Sequence, residues 1–113
     1  MNIQRIKDFL SGTHQEIDGW FFPLDQLVFY EIFSIQNSLN IGGDVAEIGV
    51  YKGKSLVLLS LLKSERQRLL GFDLFDKDYQ KITEQNLSAF GTVENVALQK
   101  GLTSDLSRRE LDA

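Results

Sequence analysis

Residues Ser55 to Lys63 carry Leu56, Val57, Leu58, Leu59, Leu61 and Leu62. The run reads as a helix that is apolar almost all round. Such a helix has no face to give to water, so it must be covered by a sheet and by neighbouring helices. The flanking sequence supplies strands. Asp44-Val45-Ala46-Glu47-Ile48-Gly49 precedes it and Arg68-Leu69-Leu70-Gly71-Phe72-Asp73 follows it, each reading as a short buried strand. A third strand is expected at Val96-Ala97-Leu98-Gln99, after a helix from about Asp78 to Phe90 with Tyr79, Ile82, Leu87 and Phe90 on one face and Gly91 at its end.

Two helices lead into this core. Ile3, Ile6, Phe9 and Leu10 recur at helical spacing, with Asn2 as N-cap and Gly12 closing the turn. Gly12 to Asp18 read as a polar loop, with His14 exposed. A longer helix is expected from Pro23 to Leu39, with Leu24, Leu27, Val28, Ile32, Ile35 and Leu39 as its apolar face. Asn40-Ile41-Gly42-Gly43 should end it, a glycine taking the left-handed position. The order is therefore two leading helices (1–43), then β-α-β-α-β (44–113). Alternation of this kind implies a parallel sheet with right-handed crossovers. The expected fold class is α/β and Rossmann-like, with a partial parallel sheet in the order 3-2-1. The second part is expected to be only the N-terminal half of a doubly wound domain. Its first strand should then have a free edge, which favours pairing with another chain as a homodimer.

At 113 residues and a net charge of -4, the chain suits one globular domain and offers no basic surface for nucleic acid. It has no cysteine, which excludes disulfides and thiolate chemistry. Charges interrupt the N-terminus too early for a signal peptide, and no run approaches the roughly 20 apolar residues of a membrane span. A cytoplasmic protein without a membrane partner is the expectation.

Chemistry concentrates in Glu47-Ile48-Gly49-Val50-Tyr51-Lys52-Gly53-Lys54-Ser55, where the first strand turns into the apolar helix. Ligands of open α/β sheets bind outside the carboxyl ends of strands. Gly49 permits a sharp turn, Gly53 a close approach of backbone, and the helix start at Ser55 offers free N–H groups to an anion. Asp73 ends the second strand, where an acid can accept hydrogen bonds from both hydroxyls of a ribose.

The run Glu47-x-Gly49-x-Tyr51-x-Gly53-x-Ser55 followed by Asp73 resembles motif I and the ribose-binding acid of class I S-adenosylmethionine-dependent methyltransferases. The likeness is nearest to the small-molecule O-methyltransferases of the catechol and macrocin types. Gly101-Leu102-Thr103-Ser104-Asp105 and the approach Gly19-Trp20-Phe21-Phe22 resemble that group more loosely. The resemblance implies S-adenosylmethionine as cofactor and a small-molecule methyl acceptor as partner. It implies that Gly49 and Gly53 shape the turn under the methionine part, Ser55 holds its carboxylate, and Glu47 faces its cationic end. Tyr51 would pack beside the cofactor, Asp73 would bind the ribose, Leu74 or Phe75 would lie along the adenine, and Thr103 and Ser104 would bond near the adenine edge. Acceptor and base in those enzymes come largely from later in the chain, so this stretch is expected to be incomplete for catalysis. No catalytic residue is assigned.

Two other readings remain open. The turn nearly spells a nucleoside-triphosphate loop, but three residues separate its glycines where that motif has four. A binding or scaffold module with the same fold and no chemistry is the other. Asp73, Asp76 and Asp78 are better read as a ribose ligand and helix caps than as a metal site.

Overall fold

The computed structural model describes residues 1–102; the expected sites Thr103 and Ser104 lie outside them. The order of elements is α1 (Ile3–Ser11), a 3-10 turn (Thr13–Glu16), α2 (Pro23–Ser38), β1 (Val45–Ile48), α3 (Lys54–Leu62), β2 (Leu69–Asp73), α4 (Tyr79–Phe90) and β3 (Val96–Lys100). The sheet runs β1-β2-β3, with β2 central and both pairings parallel. Val45 pairs with Leu69 and Leu69 with Val96, so the carboxyl ends of all three strands fall at one end of the sheet. This is the parallel sheet of an α/β fold that the alternation of strands and helices implied.

Helix α3 behaves as its composition requires. All seven residues from Leu56 to Leu62 are buried. It lies close on the sheet because Gly71 of β2 leaves room. A Cβ there would come within 3.0 Å of Leu56 Cδ2 and of Leu98 Cδ2. Ile6 and Phe9 of α1 and Leu87 of α4 complete the core around it. Asn2 caps α1 as expected, its side chain accepting the Arg5 N–H at 3.2 Å.

Helix α2 departs from the sequence reading. Its stripe of Leu24, Leu27, Val28, Ile32, Ile35 and Leu39 is exposed, and the buried positions are Gln26 and Phe33. Phe29 and Tyr30 pack partly against the core beside them. Gln26 is tolerated inside because its amide donates to the Phe21 carbonyl at 2.8 Å. The helix ends in a Schellman turn, with the Ile41 N–H donating to the Gln36 carbonyl at 2.8 Å and the Asn40 N–H to the Asn37 carbonyl at 3.2 Å. The left-handed residue is Asn40 (φ 57°), not a glycine.

Strand β1 is not buried on both faces. Its residues alternate, and Ile48 is 57% exposed. No strand pairs with its outer edge among the described residues. That edge and the α2 stripe leave a shallow apolar groove lined by Phe29, Ile32, Phe33, Val45, Ile48 and Leu59. Among the described residues no helix is long and apolar enough to cross a membrane.

Candidate functional site

The turn after β1 is set by backbone. Gly49 has φ 88° and a Cβ placed on it would meet nothing within 4 Å, so conformation rather than crowding requires glycine here. Its N–H donates to the Phe72 carbonyl at 2.8 Å, continuing the β1–β2 ladder by one residue. Gly53, the N-cap of α3, is also left-handed, at φ 91°. Here space matters as well, since a Cβ would lie 2.9 Å from Thr83 Cγ2 of α4. Gly53 therefore permits the close contact between α3 and α4.

Asp73 stands directly across the turn. Its Oδ2 accepts the Tyr51 N–H at 2.8 Å and its Oδ1 the Phe75 N–H at 2.9 Å. One carboxylate thus ties the loop after β1 to the loop after β2. A carboxylate has about four acceptor positions, so two remain for a ligand. Asp73 lines a cleft of about 220 Å³ with Ile48, Gly49, Phe72, Leu74, Gly101 and Leu102. That is below the roughly 300 Å³ lower bound of ordinary small-molecule pockets, so it matches one portion of a nucleoside-sized ligand.

Glu47 points from β1 to the start of α3, where its Oε2 accepts the Ser55 hydroxyl at 2.6 Å. Its Oε1 is shut off from solvent and has no hydrogen-bond partner. Burial pushes its carboxyl up to about 7, against the opposing Ser55 hydrogen bond and with a further push from the charge of Asp73. Ser55 is thus committed to Glu47 through its hydroxyl, and only the helix N-terminus itself stays available to an anion.

Two other expected residues sort apart. Leu74 is half-exposed at the cleft, but Phe75 is 1% exposed and belongs to the core. Phe75 has a left-handed φ of 49°, and of the two residues offered to an adenine only Leu74 lines the cleft. Tyr51 (φ 57°) stacks edge-on against Tyr79, with ring centroids 5.0 Å apart. The described residues hold no cluster of acids or histidines suited to a metal. Asp78 occupies the N-cap position of α4, yet its side chain makes no capping bond.

The sequence reading missed what braces the turn from outside. Lys52 Nζ meets Asp18 Oδ2 at 2.7 Å, and the Tyr51 hydroxyl donates to the same oxygen at 3.3 Å. Lys54 Nζ donates to the Gly19 carbonyl at 3.1 Å. Asn86 holds the Lys52 carbonyl at 2.9 Å and Thr83 the Tyr51 carbonyl at 3.2 Å. Their only sequence signal was polarity, and the partners lie more than thirty residues away. His14 is buried in the 3-10 turn rather than exposed on a loop, and burial, then the nearby Lys54 charge, lowers its pKa.

Three amides of the turn are engaged: Gly49, Tyr51 and Gly53 give their N–H groups to Phe72, Asp73 and Val50 respectively.

No protein-family model matches the chain, and no curated protein does. Among solved structures, one described as a "putative O-methyltransferase from Klebsiella pneumoniae" is similar, with a TM-score of 0.60 and 18% identity over 88% of this chain. The likeness is one of fold: an α/β, Rossmann-like arrangement around a parallel sheet. The chain spans 44% of that structure's length.

Proposed function

We propose that the cleft between Gly49 and Asp73 binds S-adenosylmethionine, and that the protein serves methyl transfer to a small-molecule oxygen. The observation that carries this reading is Asp73, an acid at the end of β2 that already grips the turn after β1 and keeps acceptor positions for a sugar. Three features of the site suit the ligand. The open space over Gly49 leaves room for the aminoacyl part. The unpartnered Oε1 of Glu47 suits its ammonium group, which would supply the missing hydrogen bond and favour the charged carboxylate. Leu74 offers an apolar edge to a flat base.

S-Adenosylmethionine supplies a methyl group already activated as a sulfonium. The protein's task is then alignment of an acceptor oxygen with that carbon and removal of the acceptor's proton. Glu47 and Asp73 would fix the two ends of the donor; neither is assigned as the base.

Calorimetric titration with S-adenosylhomocysteine tests the proposal. Binding by the native chain, reduced at least tenfold in Asp73→Ala, is the expected result; one lost charge-assisted hydrogen bond costs about that much. Equal affinity in both proteins, or stabilisation by magnesium and a nucleoside triphosphate instead, would overturn it.

A further inference from the structure

Tyr51 holds a backbone conformation that a bulky aromatic residue rarely adopts, and its N–H reaches Asp73 only because it does. Something must hold it there. From α4, Thr83 grips its carbonyl and Tyr79 its ring. From the other side the grip comes from the leading segment. Asp18 accepts the Tyr51 hydroxyl and pairs with Lys52. The Lys52 ammonium lies 5.2 Å from the Tyr51 ring centroid and 5.4 Å from that of Tyr79. Gly19, next in the chain, packs on Tyr51 and accepts Lys54.

We propose that Asp18 and Lys52 are positioning residues of the ligand site. They clasp the leading segment to the glycine turn, fix the backbone of Tyr51, and through the Tyr51 amide orient the Asp73 carboxylate. The inference deepens the S-adenosylmethionine reading and rests on it for its consequence in affinity. The clasp itself is a property of the ligand-free protein. Asp18 is held below the usual carboxylate range first by its hydrogen bond from Lys52, then by that residue's charge, so the pair is fully ionised at neutral pH.

The test uses Lys52→Met, Asp18→Asn, the double variant and the conservative Lys52→Arg. Each single loss should weaken S-adenosylhomocysteine roughly two- to fivefold, the range an exposed ion pair supports. The double variant should be weakened by less than the two single losses combined, because the two residues share the ion pair. Lys52→Arg should restore affinity. Native affinity in Lys52→Met would overturn the clasp while leaving the cofactor reading intact. If the native chain fails to bind, that reading falls, and the clasp is judged by hydrogen exchange at the Tyr51 amide. Faster exchange in Asp18→Asn, with melting temperature and the exchange of core amides unchanged, supports it; unchanged exchange at Tyr51 overturns it.

Discussion

Glu47→Gln should make the protein more stable above neutral pH and remove part of its pH dependence. The wild-type carboxyl titrates near 7 when folded, against 4.5 when free. The folded state therefore binds the proton more tightly than the unfolded chain. Stability from this group is complete below about pH 4.5, declines as pH rises, and is lost above about 7. At about 1.4 kcal/mol per pKa unit the whole change is roughly 3 kcal/mol. A glutamine can still accept the Ser55 hydroxyl and carries no charge to bury. For a chain of this size, roughly 3 kcal/mol corresponds to a melting-temperature change on the order of 10 °C. Thermal unfolding of both proteins at pH 5 and pH 8 measures it. The wild type should lose more on going to pH 8 than the variant, which cancels the contributions of all other groups. Parallel loss in the two would refute the argument that Glu47 carries a buried, ill-solvated charge. Ligand should reverse the trend: an ammonium against Oε1 favours the ionised form, so wild-type affinity for S-adenosylhomocysteine should rise between pH 6 and pH 8, and that of Glu47→Gln should stay flat.

Gly53→Ala should destabilise by roughly 2 kcal/mol, combining left-handed strain with the clash on Thr83. Adding Thr83→Ser removes the clashing methyl and should recover part of this in denaturant titrations; no recovery would place the whole cost in the backbone. The open edge of β1 and the exposed stripe of α2 should make the 113-residue chain self-associate. Sedimentation is expected to show a dimer or larger species, reduced by Ile35→Glu, and a monomer at high concentration would contradict it.

The sequence was most legible where composition left no choice. A helix with leucine on every side had to be internal, and the strands beside it followed. The place of Asp73 was legible too, because a parallel sheet gathers its strand ends. Periodicity was less informative for α2. It groups residues on a face, but which face finds a partner depends on neighbours, and Gln26 and Phe33 went inside while the leucines stayed out. Leu74 and Phe75 could not be told apart because both are large and apolar, and only the fold puts Phe75 in the core and Leu74 at the cleft. The Asp18–Lys52 pair joins residues 34 apart, and charge alone carries no record of such a partner.

Among the described residues five non-glycine residues adopt left-handed backbone, and two are asparagines, which bear it readily. The other three, Tyr51, Phe75 and Lys77, bracket Asp73 in space or in sequence. Each costs about 1 kcal/mol or more relative to a relaxed conformation. The loops that hold Asp73 are therefore kept in a strained shape by the rest of the fold, and the ligand proposed above would have little chain left to organise there. Relaxing these positions would yield a sturdier protein with a looser grip.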